Sequence, residues 1–171
     1  SAPAVAEVGA GSGCIIITIA LERPDARCRG LDISPDALEL ARENAARLDV
    51  AGRVSFMQND LLAAWPDRSL DMLISNPPYG IRISQFSEIN EIYVSLHKTF
   101  KKKKGWSLYI LTADEMFPNY FKRAQPDRVR KLFNGAIKVN YYQYYGERPP
   151  LPGVAGVSAG PENERSAQTK S

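Results

Sequence analysis

Glu7-Val8-Gly9-Ala10-Gly11-Ser12-Gly13 begins in the last two residues of a short β-type run, Ala4–Val8, and opens at once into an apolar helical run from about Gly13 to Glu22. Three glycines at alternate positions let the backbone turn sharply and approach a ligand closely. A turn of this kind between a strand and a helix belongs to a parallel sheet flanked by helices. The next β-type run, Arg27–Ile33, carries Asp32 near its end, 23 residues beyond Gly9. There an acidic group holds ribose hydroxyls in nucleotide-binding βαβ units. The dinucleotide fingerprint requires glycine at position 14, which here is Cys14, and no Gly-Lys-Ser/Thr phosphate loop follows.

The alternation continues along the chain. Ser34 is placed to cap a helix with Pro35 at its first position. Ala37, Leu38, Ala41, Ala45 and Leu48 then recur on one helical face. Val54–Gln58 and Leu70–Ser75 read as strands, and Phe86, Ile89, Tyr93, Leu96 and Phe100 mark an amphipathic helix ending in the run Lys101–Lys104. Trp106–Leu111 reads as a buried strand and Asp114–Phe121 as a helix. Arg130–Phe133 and Ala136–Tyr145 are strands joined at Asn134-Gly135, a hairpin signal. The expected fold is α/β: a seven-stranded, mostly parallel sheet with an antiparallel final strand. Residues 1–150 form the expected domain, and the Pro/Gly/Ser/Ala-rich stretch 151–171 a flexible tail.

Composition limits the partners. With 44% apolar residues among 171, the chain can bury a core, and its longest apolar stretches are too short for a membrane span. No secretory pattern opens the sequence, so a cytoplasmic protein without membrane association is expected. Two cysteines and one histidine, in no metal-type spacing, argue against a metal site and a disulfide framework. Residues 1–79 carry a net charge of −4 and residues 80–150 a net +7. The cationic half fits an anionic partner such as nucleic acid, or a solvated basic face.

Asn76-Pro77-Pro78-Tyr79 directly follows the fourth strand. Proline fixes φ and cannot extend a parallel strand, so this is a rigid loop at the carboxyl end of the sheet, where open α/β folds bind ligands. The side-chain oxygen of Asn76 and the carbonyl of Pro77 suit the two N–H bonds of a planar amino group, and Tyr79 suits its flat face. His97, near the charged end of its helix, reads as structural.

Together, Glu-x-Gly-x-Gly-Ser-Gly, Asp32, the Asn59-Asp60 pair and Asn-Pro-Pro-Tyr resemble the class I S-adenosylmethionine-dependent methyltransferases, Rossmann-like enzymes, within the branch that modifies amino or amide nitrogens. The resemblance covers residues 4–150. It implies S-adenosylmethionine as cofactor, with Glu7, Gly9, Gly11 and Gly13 bordering its methionine part, Asp32 on the ribose and Asp60 on the adenine amino group. It also implies Asn76, Pro77 and Tyr79 as catalytic residues, Asn76 lying beside the cofactor as well. The family more often has Asp where Glu7 stands.

Residues 4–79 resemble the glutamine-N5 methyltransferases of peptide release factors. Residues 76–150 resemble the 23S rRNA guanine-N2 methyltransferases, through Lys-Gly-Trp-Ser-Leu-Tyr-Ile-Leu-Thr, Arg-Lys-Leu-Phe-Asn-Gly-Ala-Ile and Tyr-Gln-Tyr-Tyr-Gly-Glu-Arg-Pro-Pro. Composition shifts at the same seam: all eight tyrosines but Tyr79 lie beyond it, and no lysine precedes it. A chimera joined near Asn-Pro-Pro-Tyr and a single gene with an RNA-facing half both fit. The expected acceptor is guanine N2 of ribosomal RNA, with a release-factor glutamine as the alternative and a nucleotide- or RNA-binding domain without catalysis as the reading of another class. Lys122, Arg123, Arg128, Arg130 and Lys131 supply charge for RNA. Tyr141, Tyr142, Tyr144 and Tyr145 supply stacking surfaces, of which strand alternation must bury about half.

Overall fold

A computed structural model describes residues 2–59, 70–77, 86–101, 105–121 and 125–146. β1 (Ala4–Val8) is buried at every position, as a strand covered on both faces must be. It pairs in parallel with β2 (Arg27–Asp32) on one side and β4 (Met72–Ser75) on the other. β3 (Val54–Gln58) adds outside β2, and β5 (Ser107–Thr112) outside β4, both parallel. β6 (Arg128–Asn134) and β7 (Ile137–Tyr144) form a hairpin whose second strand inserts antiparallel beside β5. The sheet order is β3-β2-β1-β4-β5-β7-β6. Since β7 is antiparallel to both neighbours, β6 runs with β1–β5 and β7 alone is reversed, as expected. The hairpin turn sits one residue later than the sequence implies. Asn134 pairs with Ile137, and Gly135 takes φ 61° at the first loop position, which a II′ turn requires.

α1 (Cys14–Glu22) and α2 (Pro35–Arg47) cover one face, where Ile16, Ile17, Ala20 and Ala45 pack with Val5, Cys28 and Val54. The capping expectation for α2 holds: the Ser34 hydroxyl accepts from the Ala37 N–H at 3.2 Å, with Pro35 opening the helix. Leu38, Ala41 and Ala45 are buried as their spacing implies. Leu48 is a correction. It is 50% exposed, because it lies at the C-cap where the chain leaves the helix.

α3 (Phe86–Lys101) and α4 (Phe117–Tyr120) contribute to a second core in which Tyr93, Leu96 and Phe100 meet Leu108, Ile110, Phe117, Phe121, Tyr142 and Tyr144. Phe117 lies 5.0 Å from Tyr142 and Phe121 4.9 Å from Tyr144, ring centre to ring centre. Burying each such side chain contributes roughly 1.5–3 kcal/mol. His97 packs edge-on against Phe121 at 5.2 Å, consistent with a structural role. Both cysteines are free. No helix among the described residues is long and apolar enough to cross a membrane. The 151–171 stretch lies outside the described residues.

From β1 the chain builds outward through β2 and β3; β4 and β5 extend the other way. This reversal opens a crevice above the carboxyl ends of β1 and β4. The buried hydroxyl of Ser75 donates to the Val8 carbonyl at 3.0 Å and ties those two strand ends together.

Candidate active site

The glycine turn leaves β1 at this crevice. Gly9, Gly11 and Gly13 all adopt left-handed φ, at 70°, 54° and 78°. For Gly13 that is doubly required, since a Cβ would lie 2.9 Å from the Ile17 side chain and 3.1 Å from Ala41. At Gly9 and Gly11 nothing lies within 4 Å of the Cβ position, so there the absent side chain leaves open space. The N–H groups of Gly9 and Ala10 both donate to the Leu31 carbonyl, at 2.9 and 3.0 Å, stitching the turn to the end of β2.

Asp32 closes the same end. Its carboxylate accepts from the Gly11 N–H at 2.8 Å through one oxygen and from the Ser34 N–H at 2.9 Å through the other. The sequence pairs these positions by spacing alone; the fold brings them into direct contact. Two backbone donors leave about two of the carboxylate's four lone-pair sites for further donors. Asn59 donates through its backbone to the Asp32 carbonyl at 3.0 Å, so the chain after β3 also arrives here.

Glu7 is 2% exposed, and its carboxylate accepts the Ile16 N–H at 3.0 Å. Among the described residues no other side chain caps α1, whose N-cap is Gly13. Burial pushes the Glu7 carboxyl up from 4.5 to about 7; the Ile16 bond pulls it down, and the charge of Asp32 adds to the rise. Asn76 follows Ser75, the register partner of Val8, so it leaves the sheet beside the glycine turn. Its Oδ1 is buried and has no hydrogen-bond partner among the described residues. Pro77 is buried next to it. Asp60 and Tyr79 lie outside the described residues.

Gly30 escaped the sequence reading. A Cβ there would sit 2.6 Å from the Phe56 ring and 3.2 Å from Ala10, so its absence seats the turn against β2. A glycine inside a strand was the available signal. The tyrosines divide as alternation implies, two of the four being buried. Tyr142 and Tyr144 are core residues, Tyr141 stacks on Tyr109 at 5.9 Å, and Tyr145, the residue after Tyr144, lies level with the start of β5, at the opposite end of the sheet from the crevice.

Residues 11–143 match the RMKL-like methyltransferase domain. The chain belongs to that family. Among relatives of this RMKL-like domain, the ribosomal RNA large subunit methyltransferase K/L of Shewanella frigidimarina is 35% identical over 123 residues, 69% of this chain and 17% of that protein. The release factor glutamine methyltransferase of Koribacter versatilis is 51% identical over 76 residues, 44% of this chain and 26% of that protein. The solved structure of SMU.472 complexed with SAH is similar with a TM-score of 0.73 at 28% identity, over 86% of this chain and 48% of that one. The RMKL-like domain thus spans less than half the length of each. Both kinds of relative anticipated from the sequence are found. A match of 123 residues is longer than either side of the seam at Tyr79, so the likeness to the ribosomal RNA enzyme runs across it.

Proposed function

We propose that this chain transfers the methyl group of S-adenosylmethionine to an exocyclic amino nitrogen of RNA, guanine N2 of 23S ribosomal RNA being the acceptor that fits best. The observation that carries the proposal is the buried, unpartnered Oδ1 of Asn76 beside the glycine turn. Leaving such an acceptor unsatisfied costs about 1–3 kcal/mol, so the position calls for a donor from outside. An amino group supplies one.

The residues present fit the cofactor. Open space at Gly9 and Gly11 and spare acceptor capacity on Asp32 suit the methionine part and the ribose hydroxyls. Glu7 and Gly13 hold the turn in shape, and Asp60 accepts from the adenine. When bound, S-adenosylmethionine supplies an electrophilic methyl group on sulfur. Asn76 Oδ1 and the Pro77 carbonyl accept hydrogen bonds from the two amino N–H groups, which turns the nitrogen lone pair toward the methyl, while Tyr79 stacks on the base. Catalysis is then positioning together with hydrogen bonds that strengthen as charge develops on the nitrogen. The methylated nitrogen sheds its extra proton to solvent, so no dedicated base is needed. Residues 1–150 make up the catalytic domain in this reading, with 151–171 appended.

Ribosomal RNA is favoured by the match to the K/L enzyme, the longer of the two matches, and by the cationic second half. The 51% identity to a release factor methyltransferase supports glutamine N5 as the second reading. A labelled methyl-transfer assay offering unmodified ribosomal RNA and release factor in parallel tests both, with calorimetry against S-adenosylhomocysteine and NAD alongside. Label on RNA and binding of S-adenosylhomocysteine are expected. Label on release factor alone would replace the RNA assignment, and binding of NAD alone would remove the methyltransferase reading.

A further inference from the structure

The β6–β7 hairpin has a feature that none of the residues assigned so far explains. The last residue of β5, Thr112, pairs with Asn140, yet the hairpin continues through Val139, Lys138 and Ile137 before it turns. Three residues at 3.3 Å each carry it about 10 Å past the end of β5. That end is the carboxyl edge of the parallel strands, the side on which the glycine turn and Asn76 lie. The hairpin therefore projects from the same edge of the sheet as the crevice, β7 two strands and β6 three strands from β4, about 10 and 14 Å along it.

Its surface is unusual for a projecting edge. Phe133 is 73% exposed, and Lys138 is its direct cross-strand partner. Lys131, two residues back along β6, shares the same face by strand alternation. An exposed aromatic ring is thus flanked by a cation on either side. Among the described residues, Asp114 and Glu115 bring negative charge to this side of the sheet, and the Glu115 carboxylate lies 3.2 Å from Lys138 Nζ. Arg128 and Arg130, on the opposite face of β6, keep the strand cationic throughout. A hydrophobic partner alone would gain nothing from these charges, and a phosphate chain alone would gain nothing from the ring. Single-stranded nucleic acid uses both, phosphates on the cations and a base on the aromatic face.

We infer that the hairpin is a binding finger for the RNA strand flanking the modified nucleotide, with Phe133 stacking on an unpaired base and Lys131 and Lys138 meeting adjacent phosphates. The inference rests on the RNA reading of the active site and assigns the stacking to Phe133 rather than to the tyrosines of β7.

The test measures anisotropy of a labelled, unmodified single-stranded ribosomal RNA oligonucleotide, with heparin as a polyanion that lacks bases. Phe133→Ala is expected to weaken RNA binding about tenfold and leave heparin binding unchanged, with Phe133→Trp restoring the RNA affinity. Lys131→Ala is expected to weaken both and to lower the salt slope for RNA by about 0.7. Because Phe133 is exposed, melting temperatures should match the parent. RNA affinity insensitive to Phe133→Ala overturns the proposal, as does an equal loss toward heparin. So does a dimer, seen by sedimentation, that Phe133→Glu dissociates without changing RNA affinity. Methylation of RNA that does not depend on Phe133 overturns the finger alone, whereas methylation of release factor only overturns the RNA reading beneath it.

Discussion

Glu7 holds a carboxylate where water is excluded, next to a second acid, with one backbone N–H in compensation. Its folded pKa of about 7 lies above the ordinary 4.5, so the folded chain binds the proton more tightly than the unfolded chain. Stability from this group is fully present below pH 4.5, declines as pH rises, and is lost above pH 7. Glu7→Gln keeps an oxygen to accept from Ile16 and removes the charge. Urea melts should show the variant gaining on the parent between pH 4.5 and 7, by roughly 2–3 kcal/mol at most. A parallel pair of curves would refute this account. Asn76 carries a different prediction. Asn76→Ala should lower methyl transfer by about 10²-fold, the scale for loss of one dedicated hydrogen-bonding group in a catalytic site. Affinity for S-adenosylhomocysteine should fall much less, since the acceptor nitrogen is absent from that complex. Equal losses in both would make Asn76 a cofactor ligand only. Asp32 and Asn76 were legible in the sequence because their position relative to strand ends is set by chain length alone. Gly30 was not, because its requirement comes from Phe56 on another strand.

The two helices against the first half of the sheet begin differently. α2 has a full set of local start signals in Ser34, Pro35 and Asp36, so its boundary was readable. α1 has a glycine at its N-cap and no acidic residue in its first turn; its start is completed from β1, by Glu7. Ser34→Ala should therefore cost about 1 kcal/mol in denaturant unfolding. Cofactor affinity should stay near the parent value, since the Ser34 backbone N–H still donates to Asp32. A larger loss of affinity than of stability would mean that the hydroxyl itself serves the site. The β6–β7 hairpin was also signalled by Asn-Gly, yet its turn is offset by one residue. Placing the glycine at the first loop position satisfies both the turn and the cross-strand pairing of Phe133 with Lys138.

Among the described strands, burial falls from the centre of the sheet toward the hairpin edge. β1 is buried at every position, whereas the β6 residues whose side chains are described are all exposed, and β6 has a neighbour on one side only. Amide hydrogen exchange should be slowest in β1 and β4 and fastest, among the strands, in β6. Comparable protection of β6 in the isolated chain would point to self-association along that edge. Saturating single-stranded RNA should slow β6 selectively. By itself the sequence determined the wound α/β sheet, the reversed last strand, and the glycine turn with its acidic partner, since each follows from local periodicity, turn chemistry and the rules for connecting strands. Tertiary structure alone decided which tyrosines are core, that Glu7 caps α1 and titrates near neutrality, and that Phe133 is an exposed ring on the hairpin that projects from the crevice edge of the sheet. Those properties depend on what packs against a residue from distant parts of the chain, and alternation along a strand names two faces without saying which one is covered.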